Sequence, residues 1–358
     1  MSKKIIKLFS GIAATLMFVA GCGASGGGAT GEVTKAVLVT DRGGANDKSF
    51  NQGTNEGIIA YAEANSSKWS ASQAIESKTE QDFKPNLNNA ADENDVVVAA
   101  GFLIQDAIIQ AAKDNPETKF VGIDIDLTGI TGLTDNITSY VFAEEEAGYL
   151  AGVAAGLQTK TNKVGYIGGM EIPAVQKFGW GFIEGVKSVN PEASISYEYT
   201  GDFNDVALGT QKAQAMYNTG VDVMFIAAGQ TGVGAINETI TQRQAGKDVW
   251  AIGVDRDQYE DGKMPGTDDS VMLTSAVKKV DAAAQEALKS IDDGTFNSGK
   301  TVSLTIKEGA VGLPKENPNL SDEIAKKVAE AEAAIKDGKV TPPASKDKVD
   351  GSKVTGTY

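Results

Sequence analysis

The sequence predicts an α/β protein of two lobes, each a parallel sheet wrapped by helices. Three observations carry that expectation. Short apolar runs alternate with amphipathic helical segments, an order that gives parallel strands with helices on both faces. The second half echoes the first: Val97-Val98-Ala99-Ala100-Gly101 is answered by Phe225-Ile226-Ala227-Ala228-Gly229, and Phe120-Val121-Gly122-Ile123-Asp124 by Ala251-Ile252-Gly253-Val254-Asp255. At 358 residues, 41% of them hydrophobic, the chain is long enough for two domains with sizeable cores.

The first segment, 1–21, starts basic with Lys3, Lys4 and Lys7, continues with an apolar stretch at 12–19 and ends in small residues. That is the layout of a secretory signal peptide, and the stretch is shorter than the roughly 20 residues a spanning helix needs. Val19-Ala20-Gly21-Cys22 resembles a bacterial lipobox, in which the cysteine is diacylated and becomes the new N-terminus. Two acyl chains on Cys22 give stable anchoring where one does not. Residues 22–34, rich in glycine, then read as a flexible tether. The body is expected at the extracytoplasmic face of the cell membrane.

Strands are expected at 35–40, 72–77, 96–100 and 120–124 in the first half, and at 164–167, 194–199, 221–227 and 249–254 in the second. Helices fall between them, among others at 51–63, 103–113, 144–157, 175–189, 206–218 and 234–244. A hinge strand at 271–276, a helix at 277–292, a returning strand at 301–306 and a closing helix at 322–336 follow. The lobes then comprise 35–142 with 275–298, and 143–274 with 299–340. The polar tail 341–358 is expected to be loosely held.

Composition excludes several chemistries. The chain has no histidine, which removes Ser-His-Asp and Cys-His nucleophiles and histidine metal sites. Its one cysteine permits no internal disulfide. The formal charge is −15, and without the first 21 residues 30 basic groups face 48 acidic ones, or −18. Such a surface repels nucleic acid and anionic headgroups. The only arginines are Arg42, Arg243 and Arg256, so two-point capture of phosphate is poorly supplied.

Some motifs are louder than their context allows. Residues 294–301 match GxxxxGK[ST], but a helix precedes and a β-rich run follows, the reverse of a phosphate-binding loop. Residues 124–135 faintly resemble a calcium loop, yet they leave a strand and end in Asp135 rather than a bidentate Glu. Gly229, Gly232 and Gly234 lack dinucleotide spacing and read as room for backbone to approach a ligand. Trp69, Trp180 and Trp250 read as packing residues.

Ligands of open parallel sheets bind outside the carboxyl ends of the strands, and two facing sheets on hinge strands make a cleft that closes. The stretch TDRGGANDKSFNQG, 40–53, follows the first strand and offers Asp41, Asn46 and Phe50 together. From the second lobe come Phe203 in TGDFND, Gly229 and Asp255. Two rings could close on a flat heterocycle while Asp255 accepts from the cis-diol of a sugar. A flat base with a diol is a nucleoside. Asp41 could instead be a helix cap, and Phe50 a core residue.

TDRGGANDKSFNQ, GVDRDQ and LTSAVKKVD resemble the basic membrane protein family, specifically PnrA-type nucleoside-binding lipoproteins of ABC importers, over about residues 37–312. The resemblance implies a two-lobe, periplasmic-binding-protein-like (type I) fold of Rossmann-like lobes joined by hinge strands. It implies that Asp41 and Asp124 meet the base, that Phe50 and a second-lobe phenylalanine sandwich it, and that Asp255 with Lys278 holds the ribose. Phe203 is the choice for the second ring with Phe178 in reserve, and Lys278 is chosen over Lys279. Arg42 and Arg256, if they point inward, would admit an anionic ligand. The expected partners are a nucleoside, purine preferred, and ABC permease and ATPase subunits. A monomer is expected, with no cofactor, metal or catalytic residue. A sugar or polyol could use the same cleft, and an extracytoplasmic nucleoside hydrolase is the enzyme alternative.

Overall fold

The computed structural model describes residues 33–358; the expected signal peptide, Cys22 and the expected tether up to Glu32 lie outside the described residues. The first lobe runs β1 (Thr34–Thr40), α1 (Phe50–Ala64), β2 (Trp69–Ala71), α2 (Phe83–Glu93), β3 (Val96–Ala100), α3 (Gln105–Asp114), β4 (Lys119–Ile123) and β5 (Ile137–Phe142). The second runs α4 (Glu144–Gln158), β6 (Lys163–Gly168), α5 (Pro173–Val189), β7 (Ser194–Tyr199), α6 (Val206–Asn218), β8 (Val223–Ala227), α7 (Gly229–Gln244), β9 (Trp250–Asp255) and β10 (Met272–Lys278). Then come α8 (Val280–Asp292), β11 (Thr301–Leu304), β12 (Val311–Gly312), α9 (Asp322–Lys336) and β13 (Val354–Gly356).

Two sheets result. The first has the order β11-β5-β4-β3-β1-β2, the second β12-β10-β9-β8-β6-β7-β13. Apart from the β10–β12 pair, every strand pairing is parallel. Central strands such as β3 and β8 are buried throughout, as sheets covered on both faces require. The expected α/β class with two parallel-sheet lobes is what forms.

Four details differ from the sequence reading. No strand forms at 72–77: β2 lies just before that stretch, at Trp69–Ala71, and only the isolated Val39–Ile75 bridge falls within it. β5 was not anticipated, because Ile137–Phe142 mixes Thr, Ser and Tyr into its apolar run. The lobe boundaries move as well. The whole of β10 stays beside β9, so the second crossing falls at 278–280 rather than 275. β11 pairs with β5 in the first sheet, so the third crossing falls at 304–311 rather than 299. The tail is not loose: β13 pairs with β7 and extends the second sheet.

The three crossings, at 142–144, 278–280 and 304–311, lie side by side. Ala143 N–H bonds Leu304 C=O at 3.0 Å and Lys279 N–H bonds Ala310 C=O at 2.8 Å.

Candidate functional site

The carboxyl ends of β1, β4, β9 and β10 deliver Asp41, Asp124, Asp255 and Lys278 to one interlobe cavity. It holds about 610 Å³ of space, part of it open to solvent. Phe50 and Phe102 line it from the first lobe, Phe178, Phe203 and Gly229 from the second.

Asp41 follows β1 directly and is buried; its Oδ1 accepts Gly43 N–H at 3.2 Å. Gly101 faces it with φ +111, and a Cβ there would come within 1.9 Å of Asp41 Oδ2, so only glycine fits. Asp41 is not the helix cap; Asp47 is. The Asp47 carboxylate accepts N–H bonds from Ser49 at 2.9 Å, Asn51 at 3.0 Å and Gln52 at 3.1 Å, which satisfies the start of α1 and aims Ser49 and Phe50 into the cleft.

Asp124 and Asp255 occupy equivalent places in the two halves, each at or just past a strand end, each with positive φ (58° and 64°). Both face Lys278. Its Nζ donates to Asp124 Oδ2, and lies 3.8 Å from Asp255 Oδ1 and 3.6 Å from Glu144 Oε1. The same ammonium sits 4.7 Å from the Phe50 ring centroid, 5.5 Å from Phe142 and 5.6 Å from Phe178. Ser49 Oγ reaches across the cleft to donate to Asp255 Oδ2 at 2.5 Å.

Burial dominates the electrostatics. It pushes the Asp41 carboxyl up to about 7, helped by Asp47 and Asp124 and opposed by the Gly43 N–H. It raises Asp47, Asp124 and Asp255 too, with Lys278 opposing the shift at the last two. Burial alone would lower Lys278, but Asp124, Asp255 and Glu144 outweigh it and hold the ammonium charged. Two buried acceptors on residues that line the cavity, Asp124 Oδ1 and Asn51 Oδ1, have no partner within the chain. Such atoms call for a donor from a bound molecule.

Of the residues singled out in the sequence, Asp41, Phe50, Asp124, Phe203, Gly229, Asp255 and Lys278 come together here. Phe178, held in reserve, lines the cavity alongside Phe203. Lys279 does not line it. Asn46 is the exception: it is exposed and borders a separate hollow with Asn55 and Glu76, because the turn that caps α1 through Asp47 sends its neighbour outward. The sequence reading missed Asp47, Ser49, Asn51 and Phe102; the first three stand in the quoted stretch beside residues it chose. Gly232 and Gly234 do not face a ligand: a Cβ on Gly234 would strike Val206 C=O at 1.9 Å, so it lets α6 and α7 touch.

Arg42 and Arg256 face the opposite lobe rather than the cavity. Arg42 is 3.8 Å from Asp202, and Arg256 is 3.3 Å from Glu56. Lys48 Nζ is 2.8 Å from Asp261. Among the described residues there is no cluster able to hold a metal ion, and no helix is long and apolar enough to cross a membrane.

A family model described as ABC transporter substrate-binding protein PnrA-like matches residues 34–346. This chain belongs to that family. It is 36% identical, over 96% of its own length and 99% of the relative's, to a protein of Lactococcus lactis subsp. cremoris named ABC transporter nucleoside-binding protein BmpA. It is 38% identical to the CD4+ T-cell-stimulating antigen of Listeria monocytogenes, over 86% of this chain and 87% of that one. A solved solute-binding protein of an ABC transporter system from Aeropyrum pernix superposes with a TM-score of 0.76 at 26% identity, covering 88% of this chain and 95% of that chain. The type I periplasmic-binding-protein fold implied by the motifs is therefore present. As a member of this family the protein is a transporter's substrate-binding component and not an enzyme.

Proposed function

We propose that the cavity captures a nucleoside, purine preferred, for an ABC importer. The observation that carries this reading is the pairing of aromatic rings with buried acceptors around an ammonium already matched by carboxylates. Phe50 from one lobe and Phe203 or Phe178 from the other supply faces for a flat base. In this reading Asp41 and Asp124 meet the base edge, and Asp255 with Lys278 holds the ribose hydroxyls; all four line the cavity. A phosphate would find Asp41, Asp47, Asp124 and Asp255 around a single lining cation, which disfavours nucleotides. The BmpA relative, named as nucleoside-binding, supports the same ligand class.

Thermal shifts against guanosine, adenosine, inosine, uridine, cytidine, ribose and AMP test it, since a ligand that binds only the folded form raises apparent stability. Nucleosides should raise the melting midpoint, purines most, while ribose and AMP leave it unmoved. Phe50→Ala and Asp255→Ala should each abolish the response while remaining folded. A shift with ribose alone would favour a sugar, and unaltered responses in both variants would remove the site.

The same reading includes anchoring by acylated Cys22, so that the body delivers its ligand to a permease at the extracytoplasmic face of the membrane. The family match and the lipobox-like sequence support it. Cys22→Ser protein should appear in the culture medium; retention with the membrane fraction contradicts the anchor.

A further inference from the structure

The run Glu144-Glu145-Glu146 opens α4 just past the first chain crossing. Glu144 is 2% exposed, and its two oxygens serve two lysines: Oε1 lies 3.6 Å from Lys278 Nζ and Oε2 lies 3.3 Å from Lys177 Nζ. Lys177 also donates to Phe142 C=O at 3.1 Å, within the same crossing. Glu146 Oε2 accepts the Ile306 N–H at 2.7 Å, at the third crossing. Lys278, 3% exposed, ends the strand that leads into the second. One helix start therefore reaches all three connections between the lobes.

We propose that Glu144 is a positioning residue for the binding cavity, holding the Lys278 ammonium at the hinge so that it is in place before the lobes close. The proposal rests on the nucleoside reading for its ligand. Its physical basis is a difference among the three carboxylates around Lys278. Asp124 belongs to the first lobe and Asp255 to the second, so opening draws them apart. Glu144 adjoins the crossings, where displacement is least, and stays with the amine. A lysine ammonium on its flexible four-carbon stem is poorly fixed by a single partner. Without Glu144 it follows one lobe or the other on opening and has to be recaptured during closure. Glu144 does not line the cavity, so it acts through Lys278 and not on the ligand.

The test compares association and dissociation rates for guanosine in the parent, Glu144→Gln and Lys177→Met. Glu144→Gln should weaken binding about tenfold, with most of the loss in the association rate. Lys177→Met removes the other partner of Glu144 and should change affinity less than threefold. An unchanged association rate in Glu144→Gln, or an equal loss in Lys177→Met, overturns the proposal. Should Glu144→Gln fail to fold, Glu144→Asp keeps the charge but shortens its reach, and it should slow association at least threefold; no slowing overturns the proposal. A ligand-free double-mutant cycle on thermal stability, using Glu144→Gln and Lys278→Met, reads the pair directly. Non-additivity is expected, and strict additivity counts against it. If the parent binds no nucleoside, the proposed ligand fails, while the ligand-free cycle still decides the pair.

Discussion

Asp124 and Asp255 hold left-handed backbone, which disfavours side chains other than glycine and costs about 1–3 kcal/mol at each position. Strain at equivalent strand ends in both halves, with both side chains meeting at one lysine, marks the place where the fold gives up stability for a site. Asp41 shows the same compromise through its charge. Its ordinary carboxyl value of 3.8 is raised to about 7 by burial. Between those values the native chain binds more protons than the unfolded one. Its contribution to stability is therefore fullest below the ordinary value and is lost as pH rises through about 7. Asp47, Asp124 and Asp255 are shifted in the same direction. The melting midpoint of the ligand-free protein should fall as pH rises from about 4 to about 7, and Asp41→Asn should flatten that slope. Calorimetry across that range checks it; a midpoint that climbs contradicts it. Asp41, Asp124 and Asp255 could be found in the sequence because they stand at the ends of apolar runs, whereas Lys278, expected inside a helix at 277–292, entered only through the family resemblance and proves to end β10. Glu144 could not be found that way. Three glutamates opening a helix read as a solvated first turn suited to the helix dipole, and nothing local says that one of them is buried against a lysine 134 positions on.

At the scale of elements, the loop before α1 and the loop after β9 grip each other across the cleft. Lys48 pairs with Asp261, Gln258 Nε2 donates to the Lys48 carbonyl at 3.1 Å, and Ser49 bonds Asp255. Arg256 with Glu56 and Arg42 with Asp202 extend the seam. These rim pairs join opposite lobes, so they exist only when the cleft is shut. Partly exposed pairs contribute about 0.2–1 kcal/mol each and weaken with salt. Lys48→Ala and Arg256→Ala should each speed nucleoside dissociation roughly 1.5- to 5-fold with little effect on association. Stopped-flow rates at low and high salt check this. The parent should show a salt-dependent release rate even for an uncharged ligand, and a rate indifferent to salt and to both variants would remove the seam's role. Central strands were legible because continuous Val, Ile and Ala runs leave few alternatives. The peripheral ones were not: β5 sets Thr138 and Ser139 side by side within its apolar run, and the sheet that β11 joins depends on Ser139, Tyr140 and Val141, about 160 residues away.

For the whole molecule, the seam and the three crossings describe a body that must open to admit a guest and that recloses around a pivot stitched by backbone and glutamate contacts. Arg42 and Arg256, which in the sequence left room for an anionic ligand, contribute to that seam instead. The last strand has a practical consequence. β13 lies along the outer side of β7, its Gly356 so close to Tyr197 that an added Cβ would come within 1.9 Å of the carbonyl. The final residues thus shield a row of amides that would otherwise be open to a neighbouring molecule. Cutting β13 away with a protease, or displacing it with a bulky fused group, uncovers β7 and invites chains to stick edge to edge.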